Sequence, residues 1–527
     1  MSSPPQHGAS AAATARPAGD AAPAPGTAAA RRADALAIIL VVAVAIVMWL
    51  PRRAGPIDLR WDGAVYYILG TSLAEGKGYK LLNEPGEIDA VQYPPLLPAI
   101  VAAHQLLLGT SDPTTVGRWL RLTSCLIFIA YAVVVLRFLR TWLPVRYAIL
   151  GALLSLFCWH AWFLSDALFP EVWFSVATLL FLMSAGREGS KVHSTLAYIW
   201  VVAAYALRTV GLAGFVVWVL DSVIRRRFRQ AALRALLALI PVASWQMYVA
   251  SVERSHDYTS PTYEYQRSPS LFYNVSYATN IALRDPFTPE KGPVRIERRI
   301  ARNALDIPVH VGETLSASRR YFEMWLHRVV GHGPMANATV RWGVFGVLSV
   351  FGLLVLGGTG LQLLRGQRLE PLYVLVYAGA MCLTPFPGQF LRYLMPVAPL
   401  LALSAIVFLA RAGRGGRRWP EGDWRRTTLP FLVLGPALLV QMITAAAVYT
   451  GEHRRVAYVD AAGKPVTYRL FFYNQSQQEF DQTVDYLQAH AQAGDVVSAG
   501  TPHWIHLRTG LKTVMPPFEP DAARAQA

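Results

Sequence analysis

The chain has 527 residues, 54% of which are hydrophobic, and a formal net charge of +16. Several apolar runs approach 20 residues, the length of a membrane-crossing helix, so the composition excludes a soluble globular protein. Because backbone groups inside lipid must be hydrogen-bonded within the segment, the predicted fold class is an all-α polytopic membrane protein. Most arginines lie in short clusters at the ends of the apolar runs, so the positive charge indicates membrane orientation and no nucleic-acid partner.

Three regions are predicted along the chain. Residues 1–32 are rich in Ala, Pro, Gly and Ser and predict a disordered cytoplasmic tail. Residues 33–449 predict a transmembrane core with outer loops at 51–117 and 252–339. Residues 450–527 predict a small α/β extracytoplasmic region, with a helix at 478–490, a strand in AGDVVSAG and a short helix in HWIHLRTG.

Eleven membrane spans are predicted in the core. They are 33–50, 118–136, 147–163, 166–185, 194–207, 209–224, 232–251, 340–363, 371–386, 390–410 and 428–449. The apolar stretch 93–109 is interpreted as a surface or re-entrant helix, because counting it as a span would place the following arginine clusters outside. With eleven spans, five Arg-rich connections face the cytoplasm, and the first outer loop and the C-terminus are extracytoplasmic. The segment 319–330 predicts a helix on the membrane surface, which either shapes a substrate cleft or tethers the loop.

The first outer loop contains the main candidate for chemistry, Asp62. Tyr66 follows at i+4, so the acid at the start of a helix shares a face with a tyrosine. The positive end of the helix dipole favours an ionised carboxylate there, which suits a general base or a cation ligand. The alternative is a simple helix cap. Asp58 is a nearby competitor that lacks a tyrosine at i+4.

Other charged residues are predicted on the same outer side. Asp166 and Glu171 lie at the outer end of the fourth span, where an acid needs water or a partner, although Asp166 also suits a helix cap. Arg208 and the pair Arg392 and Tyr393 can bind a phosphate through the arginine forks, or they can anchor the helices at the interface. His503 and His506 are too few ligands for a metal site, and the three cysteines lie in apolar runs without zinc spacing.

The order of these motifs resembles a known family. Asp62 and Tyr66 follow the first span, and they precede Gly76-Lys77-Gly78-Tyr79 and Tyr93-Pro94-Pro95-Leu96. This pattern resembles the GT-C class of membrane glycosyltransferases and is most similar to its protein-mannosyltransferase and aminoarabinose-transferase branch.

The resemblance implies specific roles. Asp62 is the matching position for the catalytic carboxylate, and Asp166 matches a second acid that orients the acceptor or helps to hold a divalent cation such as Mg²⁺ or Mn²⁺. Arg392 and Tyr393 match donor phosphate-binding positions, and Arg208 is a further candidate for the same role. Further substrate-cleft candidates are Asp58, Tyr66, Tyr93 and Glu171.

The predicted function is transfer of a monosaccharide from a polyprenyl-phosphate carrier to a protein, lipid or glycan acceptor. The reaction takes place on the outer face of the plasma membrane by a single inverting displacement, as the resemblance implies, with Asp62 as general base. The alternative is a transporter or flippase of a lipid-linked sugar. Transporters are commonly built from internal repeats with sites near the bilayer midplane, whereas this sequence has no evident repeat and its candidate residues cluster on one side.

Overall fold

The computed structural model describes residues 28–187, 190–331, 333–411, 424–459 and 465–516. The predicted cytoplasmic tail lies almost wholly outside the described residues, and its last few residues belong to the first helix, which begins at Ala28. Within the described ranges the chain is predominantly helical. The helices are α1 (Ala28–Trp49), α2 (Asp62–Ala74), α3 (Leu96–Leu108), α4 (Pro113–Arg140), α5 (Val145–Leu156), α6 (Trp159–Leu164), α7 (Glu171–Ala185), α8 (Lys191–Leu207), α9 (Leu212–Ile224), α10 (Phe228–Glu253), α11 (His256–Thr259), α12 (Tyr277–Ala282), α13 (Ile296–Thr314), α14 (Arg319–Val330), α15 (Pro334–Leu364), α16 (Leu369–Met381), α17 (Phe390–Leu394), α18 (Ala398–Arg411), α19 (Trp424–Gly451), α20 (Gln475–His490) and α21 (Pro502–Thr509).

In the part of the chain that the structure describes, six strands form three small two-stranded sheets. They are β1 (Lys80–Leu81), β2 (Ile88–Asp89), β3 (His453–Val459), β4 (Pro465–Phe471), β5 (Val496–Ser498) and β6 (Lys512–Val514). The pairs β1–β2 and β3–β4 are antiparallel, and β5–β6 is parallel. The structure therefore has a helix, a strand and a short helix at the places predicted for the C-terminal region, together with a β3–β4 hairpin that the sequence analysis did not anticipate.

Six helical segments among the described residues are long and apolar enough to cross a membrane. They are Ala28–Arg52, Pro113–Arg140, Phe228–Glu253, Pro334–Leu364, Pro387–Arg411 and Thr428–Gly451. Each coincides with a predicted span, so the chain is an integral membrane protein. The other predicted spans correspond to α8 and to shorter apolar helices, and the total of eleven stays a prediction.

Several predicted spans are interrupted in ways that matter for the site. The predicted span 147–163 breaks between α5 and α6, and the helix predicted from residue 166 begins at Glu171. The segment 387–411 starts as two 3₁₀ turns around the short helix α17, because Pro387 and Pro396 remove backbone donors that a continuous helix needs. These breaks leave polar side chains on irregular backbone at the ends of the helices.

Among the described residues, most buried apolar side chains belong to one large core between the helices, and smaller clusters lie beside it. Helix α13 lies very close to α15, where Gly352 faces the carbonyl of Pro308 and Gly312 faces the carbonyl of Leu348 with no room for a Cβ atom. The C-terminal region packs on the first outer loop through backbone contacts. The Thr513 N–H donates to the Asn83 carbonyl at 2.7 Å, so β6 extends the loop that follows α2.

Candidate active site

A cavity of about 690 Å³ lies beside the start of α2 and contains most of the predicted site residues. The residues from the sequence analysis that line it are Asp62, Tyr66, Tyr93, Arg208, Arg392 and Tyr393. The remaining wall is mostly apolar and is formed largely by α9, α16 and their neighbouring loops. A cavity with a charged end and a long apolar wall fits an amphipathic ligand better than a fully polar one.

Asp62 is held at this cavity by two partners from distant parts of the chain. Its Oδ1 accepts a hydrogen bond from the Tyr273 hydroxyl at 2.7 Å, and its Oδ2 lies 2.8 Å from Nη2 of Arg392. Burial raises the pKa of Asp62, but the Arg392 charge and the Tyr273 hydrogen bond outweigh burial, and the pKa falls below its ordinary value. Asp62 is therefore a carboxylate across the physiological pH range.

Glu171 connects the two arginines of the site. Its Oε1 accepts hydrogen bonds from both Arg392 Nε and Arg208 Nη1, while its side chain is fully buried. It is also the first residue of α7, where the helix dipole stabilises a negative charge. The four charged groups form one chain in the order Asp62, Arg392, Glu171 and Arg208. The two carboxylates and the two guanidiniums carry equal and opposite charges, so the network has no net charge.

Breaks in the helices position the two arginines. Arg208 lies in extended conformation between α8 and a 3₁₀ turn, and its guanidinium lies 5.0 Å from the centroid of the Tyr393 ring. Arg392 lies in the short helix α17, with its guanidinium 4.4 Å from the centroid of the Phe169 ring. Among the described residues, the hydrogen bonds and ion pairs of the Arg208 side chain go to Glu171 only. Its remaining donors are available for a ligand.

Tyrosines surround the carboxylate. Tyr66 and Tyr93 have ring centroids 4.7 Å apart, and Tyr93 and Tyr273 are 6.1 Å apart. Burial, followed by the charge of Asp62, raises the pKa of Tyr273 well above its usual value, so its hydroxyl remains a donor to that carboxylate. His503 contacts Tyr273 edge-on at 4.9 Å between ring centroids, and burial lowers the pKa of His503 to about 3.

The residue before Asp62 has a strained backbone. Trp61 has φ of 57° and ψ of −134°, a conformation that bulky side chains rarely adopt. The neighbouring Arg60 stacks on the Trp61 ring at 4.7 Å and is itself fixed by Asp58. Such strain persists only where surrounding contacts over-determine it, and it recurs at functional sites. Here it brings Asp62 to the first position of α2, with Trp61 on the cavity wall.

Three predicted acids lie outside the cavity lining: Glu171, which reaches the cavity only through its arginines, and Asp166 and Asp58. Asp166 is buried and accepts hydrogen bonds from Arg121 Nε at 3.1 Å and Nη2 at 2.6 Å. Asp58 is buried, and its Oδ2 lies 2.6 Å from Nη2 of Arg60. Their backbones also meet, because the Asp58 N–H donates to the Asp166 carbonyl at 3.0 Å. This placement joins α4 to the loops on either side of the site. Glu171, and not Asp166, is therefore the acid that holds the arginines of the cavity.

The acids present do not form a cation site. Asp62 and Glu171 both face Arg392, and the described residues contain no group of three His, Cys, Asp or Glu side chains that could hold a metal ion. His503 and His506 likewise have no carboxylate or thiol cluster beside them. The donor set therefore does not match a divalent cation.

The sequence analysis missed several contributors to the site. Tyr273 lies 211 positions from Asp62 in an irregular loop, and no local pattern marks it. Arg60 and Arg121 are the structural partners of Asp58 and Asp166, and only tertiary packing pairs them. Phe472, which lines the cavity from the C-terminal region, follows β4. The alternating pattern of β4 was readable as a strand, although not its contact with the core.

Comparison with known proteins identifies the fold. No family model matches the sequence, and no curated protein sequence matches it. The archaeal oligosaccharyltransferase AglB from Archaeoglobus fulgidus, in complex with an inhibitory peptide and a dolichol-phosphate, superposes with a TM-score of 0.53 at 12% identity, covering 93% of this chain and 65% of that one. The Archaeoglobus fulgidus oligosaccharyltransferase in complex with Zn and sulfate gives 0.53 at 12% identity, covering 92% and 62%. This chain thus matches less than two thirds of the length of those proteins.

A third structure is more distant. ArnT from Cupriavidus metallidurans bound to undecaprenyl phosphate has 16% identity over 70% of this chain and 77% of that one, with a TM-score of 0.34, too low to support a comparison of folds. The oligosaccharyltransferase superpositions extend over nearly the whole of this chain. They confirm the predicted resemblance: the chain has the fold of GT-C class membrane glycosyltransferases.

Proposed function

We propose that this protein is a membrane glycosyltransferase that moves a monosaccharide from a polyprenyl-phosphate carrier to an acceptor on the extracytoplasmic face. The observation that carries the proposal is the ion pair between Asp62 and Arg392 at the charged end of a cavity whose other walls are apolar. That one cavity offers a proton acceptor, cations for a phosphate, and an apolar surface for a polyprenyl chain. The fold comparison supports the same class of reaction.

The donor fits the cavity by its amphipathic chemistry. The polyprenyl chain would lie along Val210, Val216 and Met381, and Val216 is 43% exposed, so the cavity reaches the outer surface of the bundle. The donor phosphate would bind Arg392 and Arg208, whose planar forks match phosphate oxygens. A lipid-linked substrate could then enter sideways from the membrane while its sugar approaches Asp62.

The reaction follows as a single displacement. The acceptor hydroxyl attacks the anomeric carbon, its proton passes to the Asp62 carboxylate, and the bond from that carbon to the phosphate oxygen breaks. The phosphate gains one negative charge, which Arg392 and Arg208 balance. Arg392 exchanges Asp62 for the phosphate when the donor binds, and the loss of this ion pair raises the proton affinity of Asp62 at the moment it is needed.

Glu171 and Tyr273 hold this arrangement in place. Glu171 keeps both guanidiniums in the site when they have no phosphate, and Tyr273 orients the carboxylate. For Asp166 we propose a structural role with Arg121, since that pair is buried and does not line the cavity. Acceptors of three kinds, protein, lipid and glycan, are compatible with this chemistry.

The proposed orientation places the N-terminus in the cytoplasm and the site and C-terminus outside. Single cysteines at Lys77, beside α2, and at Thr141, after α4, test it in a cysteine-free background, because both positions are solvent-accessible. An impermeant thiol reagent added to intact cells should label position 77 and not position 141. The reverse labelling would overturn the orientation.

The proposed function is tested in proteoliposomes that contain radiolabelled polyprenyl-phosphate monosaccharides, offered singly, and an extract of host envelope as acceptor source. A transferase releases polyprenyl phosphate and moves the label to an acceptor product. A flippase would change the leaflet in which the intact donor is found without releasing polyprenyl phosphate. Donor that crosses leaflets but is never consumed, over a full panel of sugars, would therefore establish the transport alternative.

A further inference from the structure

A second concavity, of about 870 Å³, adjoins the cavity and is strongly basic. We call it the cationic groove; residues 284–303 form one side and residues 384–389 the other. Its basic side chains are Arg284, Lys291, Arg295, Arg298, Arg299 and Arg302. Asp285 is the one carboxylate among the described residues that line it.

Most of this positive charge has no protein counter-charge. Asp285 lies 3.0 Å from Lys291 Nζ and so neutralises the lysine. Arg299 is buried and donates to backbone carbonyls, including that of Ile281 at 2.6 Å. Within the described chain, Arg284, Arg295, Arg298 and Arg302 have no carboxylate within ion-pairing distance, although all four are exposed. The groove therefore attracts anions.

Three of these arginines lie near the start of helix α13, where the helix dipole disfavours cations, and Glu297 supplies one negative charge in the first turn. Arg298 and Arg299 lie in the first turn of the helix, and Arg302 lies in the next turn. The positive end of a helix dipole disfavours cations there and favours anions. A phosphate in the groove would reverse this unfavourable arrangement, because it adds negative charge where the dipole and the guanidiniums both stabilise it.

The groove and the cavity share a wall. Phe287, Phe386, Thr384 and Gln389 line both, and the rings of Phe287 and Phe386 meet edge-on at 5.8 Å between centroids. A ligand bound in the groove can therefore extend past these rings toward Asp62. The donor phosphate already has its own cations in Arg392 and Arg208, so the groove is available to the other substrate.

We infer that the cationic groove binds the acceptor through phosphate groups, so that the protein glycosylates a phosphate-bearing acceptor. The identification of the ligand as the acceptor rests on the proposed function, whereas binding of phosphate by the groove does not depend on it. The same oxygens could come from the headgroups of bulk anionic lipids, and the experiment separates these two sources.

The test uses inorganic pyrophosphate as the probe and the full-length protein in phosphatidylcholine nanodiscs, with binding followed by calorimetry. The double variant Arg298→Gln/Arg302→Gln should bind pyrophosphate at least tenfold more weakly than wild type. The matched control is Arg319→Gln/Arg320→Gln, two exposed arginines at the start of α14, outside the groove. Its affinity should equal that of wild type. Equal affinity in wild type and the groove variant would overturn the inference.

A second arm identifies the source of the phosphate. Native mass spectrometry with added phosphatidylglycerol should count the same number of bound lipids in wild type and the groove variant. Fewer bound lipids in the groove variant would assign the groove to lipid headgroups and overturn its acceptor role. Neither arm needs donor or turnover, so a negative result here leaves the proposed reaction intact, and failure of donor consumption leaves the groove result intact.

Discussion

Asp62 and Asp58 lie four positions apart and are both paired with arginine, yet their surroundings differ in kind. Asp58 is enclosed: Arg60 saturates its oxygens and continues to the Phe471 carbonyl at 2.7 Å, which ties the loop to the C-terminal region. Asp62 faces a cavity of about 690 Å³, with its partner Arg392 shared with Glu171. The difference shows that an ion pair becomes a site when a ligand can replace one partner.

The same contrast holds for the second acid of each pair. Asp166 and Arg121 are both buried, and Arg121 also donates to the carbonyl of Ala54, so the pair fastens backbone segments together. Glu171 is equally buried, but the arginines it holds both line the cavity. The enclosed pairs, Asp58–Arg60 and Asp166–Arg121, should govern stability. The network at the cavity, which we call the open network, consists of Asp62, Arg392, Glu171 and Arg208 and should govern turnover. The three variants below are ordered by the size of the expected effect.

The largest effect is expected from Arg121→Met. It leaves Asp166 buried without its cation, which typically costs about 3–5 kcal/mol of folding free energy. Thermal unfolding in detergent should shift strongly downward, while the donor KM of the remaining folded protein stays unchanged. Arg118→Met, on the exposed side of the same helix, is the control and should alter stability by about 0.5 kcal/mol or less. Similar stability of the two variants would mean that the Asp166 pair does not hold the fold.

Arg392→Lys should have the next largest effect, on the open network. Lysine keeps the charge but loses the planar fork, so one charge-assisted hydrogen bond to phosphate is lost and donor KM should rise by about 10- to 100-fold. The unfolding temperature should change little. The control is Arg118→Lys, the same substitution at an exposed arginine, and its donor KM should equal that of wild type. A donor KM equal to that of wild type would return Arg392 to the role of an interfacial anchor.

Tyr273→Phe should give the smallest effect, a shift in pH dependence. The Tyr273 hydroxyl stabilises the charged form of Asp62 and lowers its pKa, so its removal raises that pKa. A base must be deprotonated to act, and the acidic limb of kcat/KM should therefore move to higher pH.

The control for that shift is Tyr277→Phe, whose hydroxyl in the same cavity bonds to Thr384 at 3.0 Å instead of Asp62. Its acidic limb should coincide with that of wild type. An identical shift in both variants, or none in Tyr273→Phe, would show that Tyr273 does not tune the carboxylate.

The sequence predicts those parts of the fold that depend on local patterns. Long apolar runs locate helices such as α4, α10 and α15, and turn residues bound them, as with Asp112 capping the start of α4. The β3–β4 hairpin was not predicted, although the burial of β4 alternates along the strand.

The sequence predicts the charged residues of the site and three of its tyrosines, Tyr66, Tyr93 and Tyr393. Asp62, Arg208, Arg392 and Glu171 stand out because charges at the ends of membrane helices are costly and need a reason. Their pairing depends on how the helices pack, and the spacing of residues in the sequence does not predict it. The positive φ of Trp61 is likewise not predictable from the sequence, because tryptophan rarely adopts that conformation.

The central claim is that Asp62 reacts and Asp58 holds the fold, and one paired measurement tests it directly. Single-turnover sugar transfer and thermal unfolding are recorded on the same preparations of Asp62→Asn and Asp58→Asn. Asp62→Asn should lose transfer by a factor on the order of 10² to 10⁴ at near-normal stability, because Arg392 retains Glu171 as partner. Asp58→Asn should unfold earlier but transfer normally per folded molecule. Near-normal transfer by Asp62→Asn, with loss in Asp58→Asn, would contradict the account.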